Sequence, residues 1–184
     1  MKNKKILIIS SSFRLNGNSD TLADAFQKGA LEKQHEVEKI SLRDYDFHFC
    51  QGCLACQKGK PCVLKDDASF IIEKMKNSDV IVFVTPIYFY EMSGQMKTLL
   101  DRSNPLFVSQ YQFRDIYLLA TSADDDDDET AMDGAILGLN GWIKCFEKAS
   151  LKGVIKGLGL DQYGDVKKDT HILKQAYLMG KSIE

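Results

Sequence analysis

Two apolar runs, KKILIIS at residues 4–10 and DVIVFVT at 79–85, constrain this chain more than anything else in it. Neither alternates apolar with polar residues, so neither is a strand with one wet face. A short unbroken run of Ile, Val, Leu and Phe suits a strand covered on both sides, as in a parallel sheet clothed by helices. The stretches between such runs have helical spacing. Leu22, Ala25, Phe26 and Ala30 recur on one helical face, and HEVEKISL (35–42) reads as a second strand. DDASFIIEKMKNSD (66–79) reads as a helix opened by acids, which suit a helix N-terminus. Pro86 is expected to end the strand at 79–85. Met92, Met96, Leu99 and Leu100 mark the next helix, and DIYLLATS (115–122) a fourth strand. A helix with Ile136, Leu139, Ile143 and Phe146 leads to a fifth strand, LKGVIKGLGL (151–160), and a closing helix carries Ile172, Leu173, Ala176 and Tyr177. Five βα units predict an α/β fold, a doubly wound parallel sheet with helices on both faces, in one domain over residues 1–184. Such sheets bind ligands beyond the carboxyl ends of their strands, where the strand order reverses. The loops after strands one, three and four are therefore the places to look for function.

Composition removes several classes of function. At 184 residues, 44% hydrophobic and 27% charged, the chain suits one globular unit. A net charge of −2 gives no electrostatic basis for binding nucleic acid or an anionic membrane. The run Ile6–Ile9 is too short for a signal peptide and nothing later reaches a membrane-spanning length, so a cytoplasmic location is expected.

The loop after strand one, SSSFRLNGNSDT, offers the hydroxyls of Ser10, Ser11, Ser12, Ser19 and Thr21, the Asn18 amide, the Arg14 cation and a helix start. Backbone N–H groups at a helix start, with small hydroxyls, make a phosphate cradle. The same composition also suits an ordinary N-cap loop. Neither a Walker ending nor a G-x-G-x-x-G fingerprint is present. After strand three, Tyr88, Phe89 and Tyr90 follow Pro86 and Ile87; they can frame a flat ring, or serve as core or dimer contacts. After strand four, the run Asp124–Asp128 suits a solvated helix N-terminus better than a divalent-metal site.

Four of the five cysteines lie in FCQGCLACQKGKPC (49–62), as Cys50, Cys53, Cys56 and Cys62 in a C-x2-C-x2-C-x5-C pattern. The first three have the compact spacing of bacterial ferredoxins, and four thiolates would complete a [4Fe–4S] cluster. The competing readings are a zinc site, with His48 as a further ligand, and a metal-free loop. A reducing compartment argues against a disulfide framework. Cys145 reads as a small buried hydrophobe in a helix, His35 and His171 as surface residues, and Trp142 as packing.

On these motifs the chain resembles the NADPH-dependent FMN reductase family of flavodoxin-like proteins, including its iron–sulfur flavoprotein branch. Ser11 to Ser19 resembles the family's G-S-P-R-x-x-G-N-[ST] loop, with Ser11 in place of Gly and Phe13 in place of Pro. Pro86-Ile87-Tyr88-Phe89 is similar to its P-V-Y-aromatic loop, and Lys97 to Arg102 to its K-x-x-x-D-R helix. Thr121-Ser122-Ala123-Asp124 stands where the family has T-S-G-G, and the cysteine spacing matches the iron–sulfur branch. The resemblance implies strand order 2-1-3-4-5 and non-covalent FMN reduced by NAD(P)H, with electrons passed to a small-molecule acceptor or redox protein. Ser10, Ser12, Arg14, Asn18 and Ser19 would hold the phosphate; Pro86, Ile87, Tyr88 and Phe89 with Thr121, Ser122 and Ala123 would hold the ring. No residue is expected to act as a catalytic acid, base or nucleophile, since the flavin carries the chemistry. A homodimer or homotetramer is expected. The alternatives are an iron–sulfur flavoprotein and a flavodoxin-type electron carrier. A phosphoacceptor receiver is disfavoured, because Ser10–Ser12 and Thr85-Pro86 stand where it needs acids.

Overall fold

The computed structural model describes residues 3–124 and 130–184. Strands β1 (Lys5–Ser10), β2 (Glu36–Ser41), β3 (Val80–Tyr88), β4 (Glu91–Met92), β5 (Asp115–Thr121) and β6 (Ser150–Gly157) alternate with helices α1 (Asn18–Glu32), α2 (Ala68–Lys76), α3 (Gly94–Arg102), α4 (Asp133–Ile143) and α5 (Thr170–Lys181). The five long strands are parallel in the order β2-β1-β3-β5-β6. That is the expected order 2-1-3-4-5, with the two-residue β4 added antiparallel to the end of β3.

Side chains on successive strand residues point to opposite faces, and the core divides accordingly. Leu7, Ile9, Ile81, Phe83, Ile116 and Leu118 face α2, α3 and α4. Ile6, Ile8, Val80, Val82, Tyr117 and Leu119 face α1 and α5. With each such side chain worth roughly 1.5–3 kcal/mol when fully buried, the two faces hold the sheet rigid behind its loops. On the second face α1 and α5 touch backbone to backbone. A Cβ on Gly29 would lie 1.9 Å from the Tyr177 carbonyl oxygen, and one on Gly180 2.1 Å from that of Phe26.

Pro86 does not end the third strand, which runs on to Tyr88. Pairing with β1 stops at Val84, so beyond it β3 has no β1 neighbour to receive a ladder bond, a position where sheets tolerate proline. Two further expectations are corrected. Cys145 lies past the end of α4 and is exposed, its Sγ 3.5 Å from the Gly141 carbonyl oxygen. His35 is buried: its Nδ1 accepts from the Lys4 N–H at 3.2 Å, and Nε2 lies 3.1 Å from the Ile183 carbonyl oxygen. His171 is exposed, and Trp142 packs against Phe83, Phe113 and Phe146, as expected. Asp125–Asp128 lie outside the described residues. Among those described, no helix is long and apolar enough to cross a membrane.

Candidate functional site

At the carboxyl ends of β1, β3 and β5 a cleft of about 200 Å³ is lined by Ser12, Arg14, Asn18, Ser19, Pro86, Ile87, Tyr88, Thr121, Ser122, Ala123, Leu160 and Asp161. Three loops expected to act together thus meet around one space, because parallel strands with their helices deliver every βα loop to the same edge.

The start of α1 forms one wall. Its first N–H groups have no carbonyl to reach within their own helix, so they suit an anion. A carboxylate at that spot would repel one, and Asp20 stands in the first turn. It is turned inward, however, with only 4% of its side chain exposed. There it accepts from Ser10 Oγ at 2.7 Å, from the Asn16 N–H at 3.2 Å and from Arg43 Nη1 at 2.9 Å. Arg43 also donates to the Ser12 carbonyl oxygen at 3.0 Å, which ties the loop down from behind. Ser10 is therefore no cleft residue: its hydroxyl is spent on Asp20 beneath the loop. Ser19 Oγ and Thr121 Oγ1 are 2.6 Å apart and join the wall of α1 to the end of β5. Beneath lies a second hydroxyl chain, in which Ser93 Oγ donates to Ser11 Oγ at 2.8 Å and Ser11 Oγ to the Val84 carbonyl oxygen at 3.3 Å.

Asn18 departs from its expected role. Its amide nitrogen donates to the carbonyl oxygens of Leu160 and Gln162, both at 2.9 Å, and its Oδ1 accepts from the Val166 N–H at 3.2 Å. Both amide hydrogens are used, so the side chain latches the loop after β6 and has none left for a phosphate. The latched loop supplies Leu160 and Asp161, which the sequence reading missed. The available signal was its position: GLGLDQYG also leaves the carboxyl end of a strand. Arg14 is exposed, with Nη1 3.3 Å from the Asp161 carbonyl oxygen, and among the described residues it is the one cation lining the cleft. Ser122 Oγ donates to Asp124 Oδ2 at 2.7 Å.

Tyr88 is half exposed at the rim, but Phe89 is fully exposed and lines nothing. Residues 88–91 form a two-residue hairpin between β3 and β4, with φ of 51° at Phe89 and 65° at Tyr90. Two successive positive φ values define the turn that matches strand twist, and it aims the Phe89 ring away from the cleft.

The four cysteines converge elsewhere. Cys50, Cys53, Cys56 and Cys62 line one hollow together with Arg102, Asn104 and Pro105. The chain curls there through left-handed residues at Gly52, Leu54 and Gly59. His48 is not part of the lining. Burial pushes the Cys56 thiol up, and its neighbours Cys62 and Cys50 add to this. Among the described residues no three His, Cys, Asp or Glu side chains stand close enough to grip a single ion. The hollow lies at the C-terminal end of α3, whereas the Ser93 hydroxyl chain lies at its start, roughly 13 Å away along the helix.

Over 98% of this chain and 100% of theirs, the fold matches an azoreductase from Bacillus anthracis (TM-score 0.75, 17% identity). It matches a NAD(P)H:quinone oxidoreductase from Methanothermobacter marburgensis over 100% and 97% (TM-score 0.80, 16% identity). By sequence, an iron–sulfur flavoprotein of Archaeoglobus fulgidus is 44% identical over 60% of this chain and 54% of its own. A Bacillus subtilis protein described as an NAD(P)H-dependent FMN-containing oxidoreductase is 29% identical over 94% of both chains. The chain spans about half the length of the iron–sulfur flavoproteins it matches. The model of NADPH-dependent FMN reductase matches residues 4–134, and the chain belongs to that family.

Proposed function

We propose that residues 1–184 form one FMN-binding domain of an NAD(P)H-dependent oxidoreductase, with its flavin in the cleft at the ends of β1, β3 and β5. One observation carries this reading: ten of the twelve residues singled out for a flavin line that single cleft. The inward Asp20 leaves the start of α1 to an anion, and Ser12, Ser19 and Arg14 surround it. Pro86 to Tyr88 and Thr121 to Ala123 form the opposite wall, fitting a flat ring. At about 200 Å³ the cleft is smaller than the roughly 300–1,000 Å³ of sites that engulf a drug-sized ligand. It therefore suits a phosphate, a ribityl chain and one ring face, leaving the other face open to nicotinamide and acceptor in turn. Bound there, FMN would supply acceptance of electrons from NAD(P)H and their return to a small molecule or redox protein. The protein's part is to orient and to set the local charge. Acid release and chromatography of the bound flavin should yield FMN; recovery of FAD, or no flavin taken up on reconstitution, would overturn the assignment.

Four thiols round one hollow, in a chain 44% identical over part of its length to an iron–sulfur flavoprotein, favour a second reading in which Cys50, Cys53, Cys56 and Cys62 hold a [4Fe–4S] cluster. The donor set fits: four sulfurs, with nitrogen donors beside two of them. Protein purified without oxygen should then show cluster absorption beside that of flavin, and Cys53→Ser should lose iron while keeping FMN. A homodimer or homotetramer in the cytoplasm completes the proposal. Exposed Phe13, Tyr88 and Phe89, on the loops after β1 and β3, support an oligomer, since exposed aromatic rings gain by burial against another chain. Light scattering on the eluted peak tests it, and a monomer at micromolar concentration would refute it.

A further inference from the structure

We propose that the C-terminal end of α3 is the seat of the four-thiol site, with Arg102 as its positioning residue and Asn104 as its second donor. The proposal rests on the reading that the four cysteines form one ligand set.

Only 2% of the Arg102 side chain is exposed, and both terminal nitrogens of its guanidinium are engaged. Nη1 donates to the His48 carbonyl oxygen at 2.7 Å and to Asp66 Oδ2 at 2.6 Å. Nη2 donates to Asp66 Oδ1 at 2.8 Å and lies 3.5 Å from Cys62 Sγ. Asp66 in turn accepts from the backbone N–H groups of His48 at 3.0 Å and Ala68 at 3.2 Å. His48 precedes the first cysteine and Asp66 follows the last, so one ion pair clamps both ends of the cysteine loop. A lysine could keep the charge but not the side-by-side pair of bonds to the Asp66 carboxylate.

Asn104 holds the same loop two residues further on. Its Nδ2 lies 3.8 Å from Cys50 Sγ, and its Oδ1 accepts from Gln57 Nε2 at 3.2 Å. The first and last thiols of the motif therefore each face their own donor on one short stretch of chain. N–H donors beside ligating sulfurs stabilise added negative charge, which raises a cluster's reduction potential. The seat thus does two things: it sets the separation of Cys50 and Cys62, and it biases the site toward its more reduced state.

Alkylation of the metal-free protein by iodoacetamide, followed at each cysteine by mass spectrometry, reads the seat directly. Arg102→Lys should slow the reaction of Cys62 several-fold, because the attacking sulfur loses a donor that stabilises its charge, and leave exposed Cys145 unchanged. Asn104→Ala should do the same at Cys50 alone. Unchanged rates at Cys62 and Cys50, or a rise at all five cysteines as in general loosening, would overturn the proposal. Should Arg102→Lys fail to fold, half-buried Asn104 carries the test, and an unchanged Cys50 rate sinks it. Anaerobic reconstitution with iron and sulfide separates this from the cluster reading. If the wild type retains no iron, the cluster reading fails and the alkylation rates alone decide the seat. If it does load, Arg102→Lys should hold less iron or show a more negative midpoint potential; wild-type iron content and potential would overturn the proposal.

Discussion

Asn18 and Asp66 show how much a single polar side chain can decide in this protein. Asn18 resembles a phosphate ligand by its place in the first loop, yet its three hydrogen bonds go to residues 160–166. Asn18→Ala should therefore destabilise the FMN-free protein by about 1–3 kcal/mol, as a buried set of carbonyl and N–H groups loses its partner. It should weaken FMN and riboflavin alike, because what loosens is the wall carrying Leu160 and Asp161. Thermal melts and titrations with both flavins check this, and a loss confined to FMN would restore the direct phosphate contact. Asp66 makes a pH prediction. The hydrogen bonds from Arg102 hold its carboxyl down to about 2, against an ordinary 3.8. A carboxyl depressed on folding adds stability above its unfolded value and loses it as pH falls toward its folded one. The contribution, on the order of 2 kcal/mol, should be complete above pH 4 and vanish between about 4 and 2. Urea melts of wild type and Asp66→Asn should converge over that window; a constant gap would mean the pair does not carry this term.

At the scale of an element, the β3–β4 hairpin stands out. Its two turn residues are Phe89 and Tyr90 rather than the Asn-Gly such turns favour, and a left-handed backbone costs a bulky residue about 1–2 kcal/mol. Phe89 gains nothing back from packing within this chain, since it is fully exposed. Phe89→Asn should raise the stability of the chain by about 1 kcal/mol and leave FMN affinity unchanged. An unaltered or lower melting temperature would show that the ring is packed after all, against a second copy for instance. A sharper flavin loss would return Phe89 to the binding site. Helix α3 illustrates the opposite economy. Ser93 caps its start by accepting from the Met96 N–H at 3.3 Å while serving the hydroxyl chain under the cleft, and Arg102 ends it under the cysteines. One nine-residue helix thereby spaces the two candidate sites.

Over the whole molecule, a cleft walled by four loops couples ligand binding to stability. A ligand bound only by the folded state stabilises it by about 2.7 kcal/mol at one hundred times its dissociation constant. FMN at that excess should raise the melting temperature clearly, and riboflavin at equal concentration less, because it lacks the phosphate that the start of α1 and Arg14 suit. No shift with FMN would count against the cleft. The alternation of continuous apolar runs with helical spacing determined, from residues alone, the parallel sheet, its two helical layers and the edge where the loops meet. It could do so because strand burial and helix periodicity are local: each is written within about ten consecutive residues. The strand order, the hydroxyl-rich first loop and the grouping of four cysteines were legible through the motifs that resemble a known family. What only tertiary structure decided was where individual polar atoms spend their hydrogen bonds. Asn18 meets Leu160, His35 meets Ile183 and Arg102 meets Asp66, partners that lie 142, 148 and 36 residues apart in the chain. No periodicity encodes such pairs, since they exist only once the sheet has brought distant parts of the chain together and burial has left each polar group only the partners that the fold puts in reach.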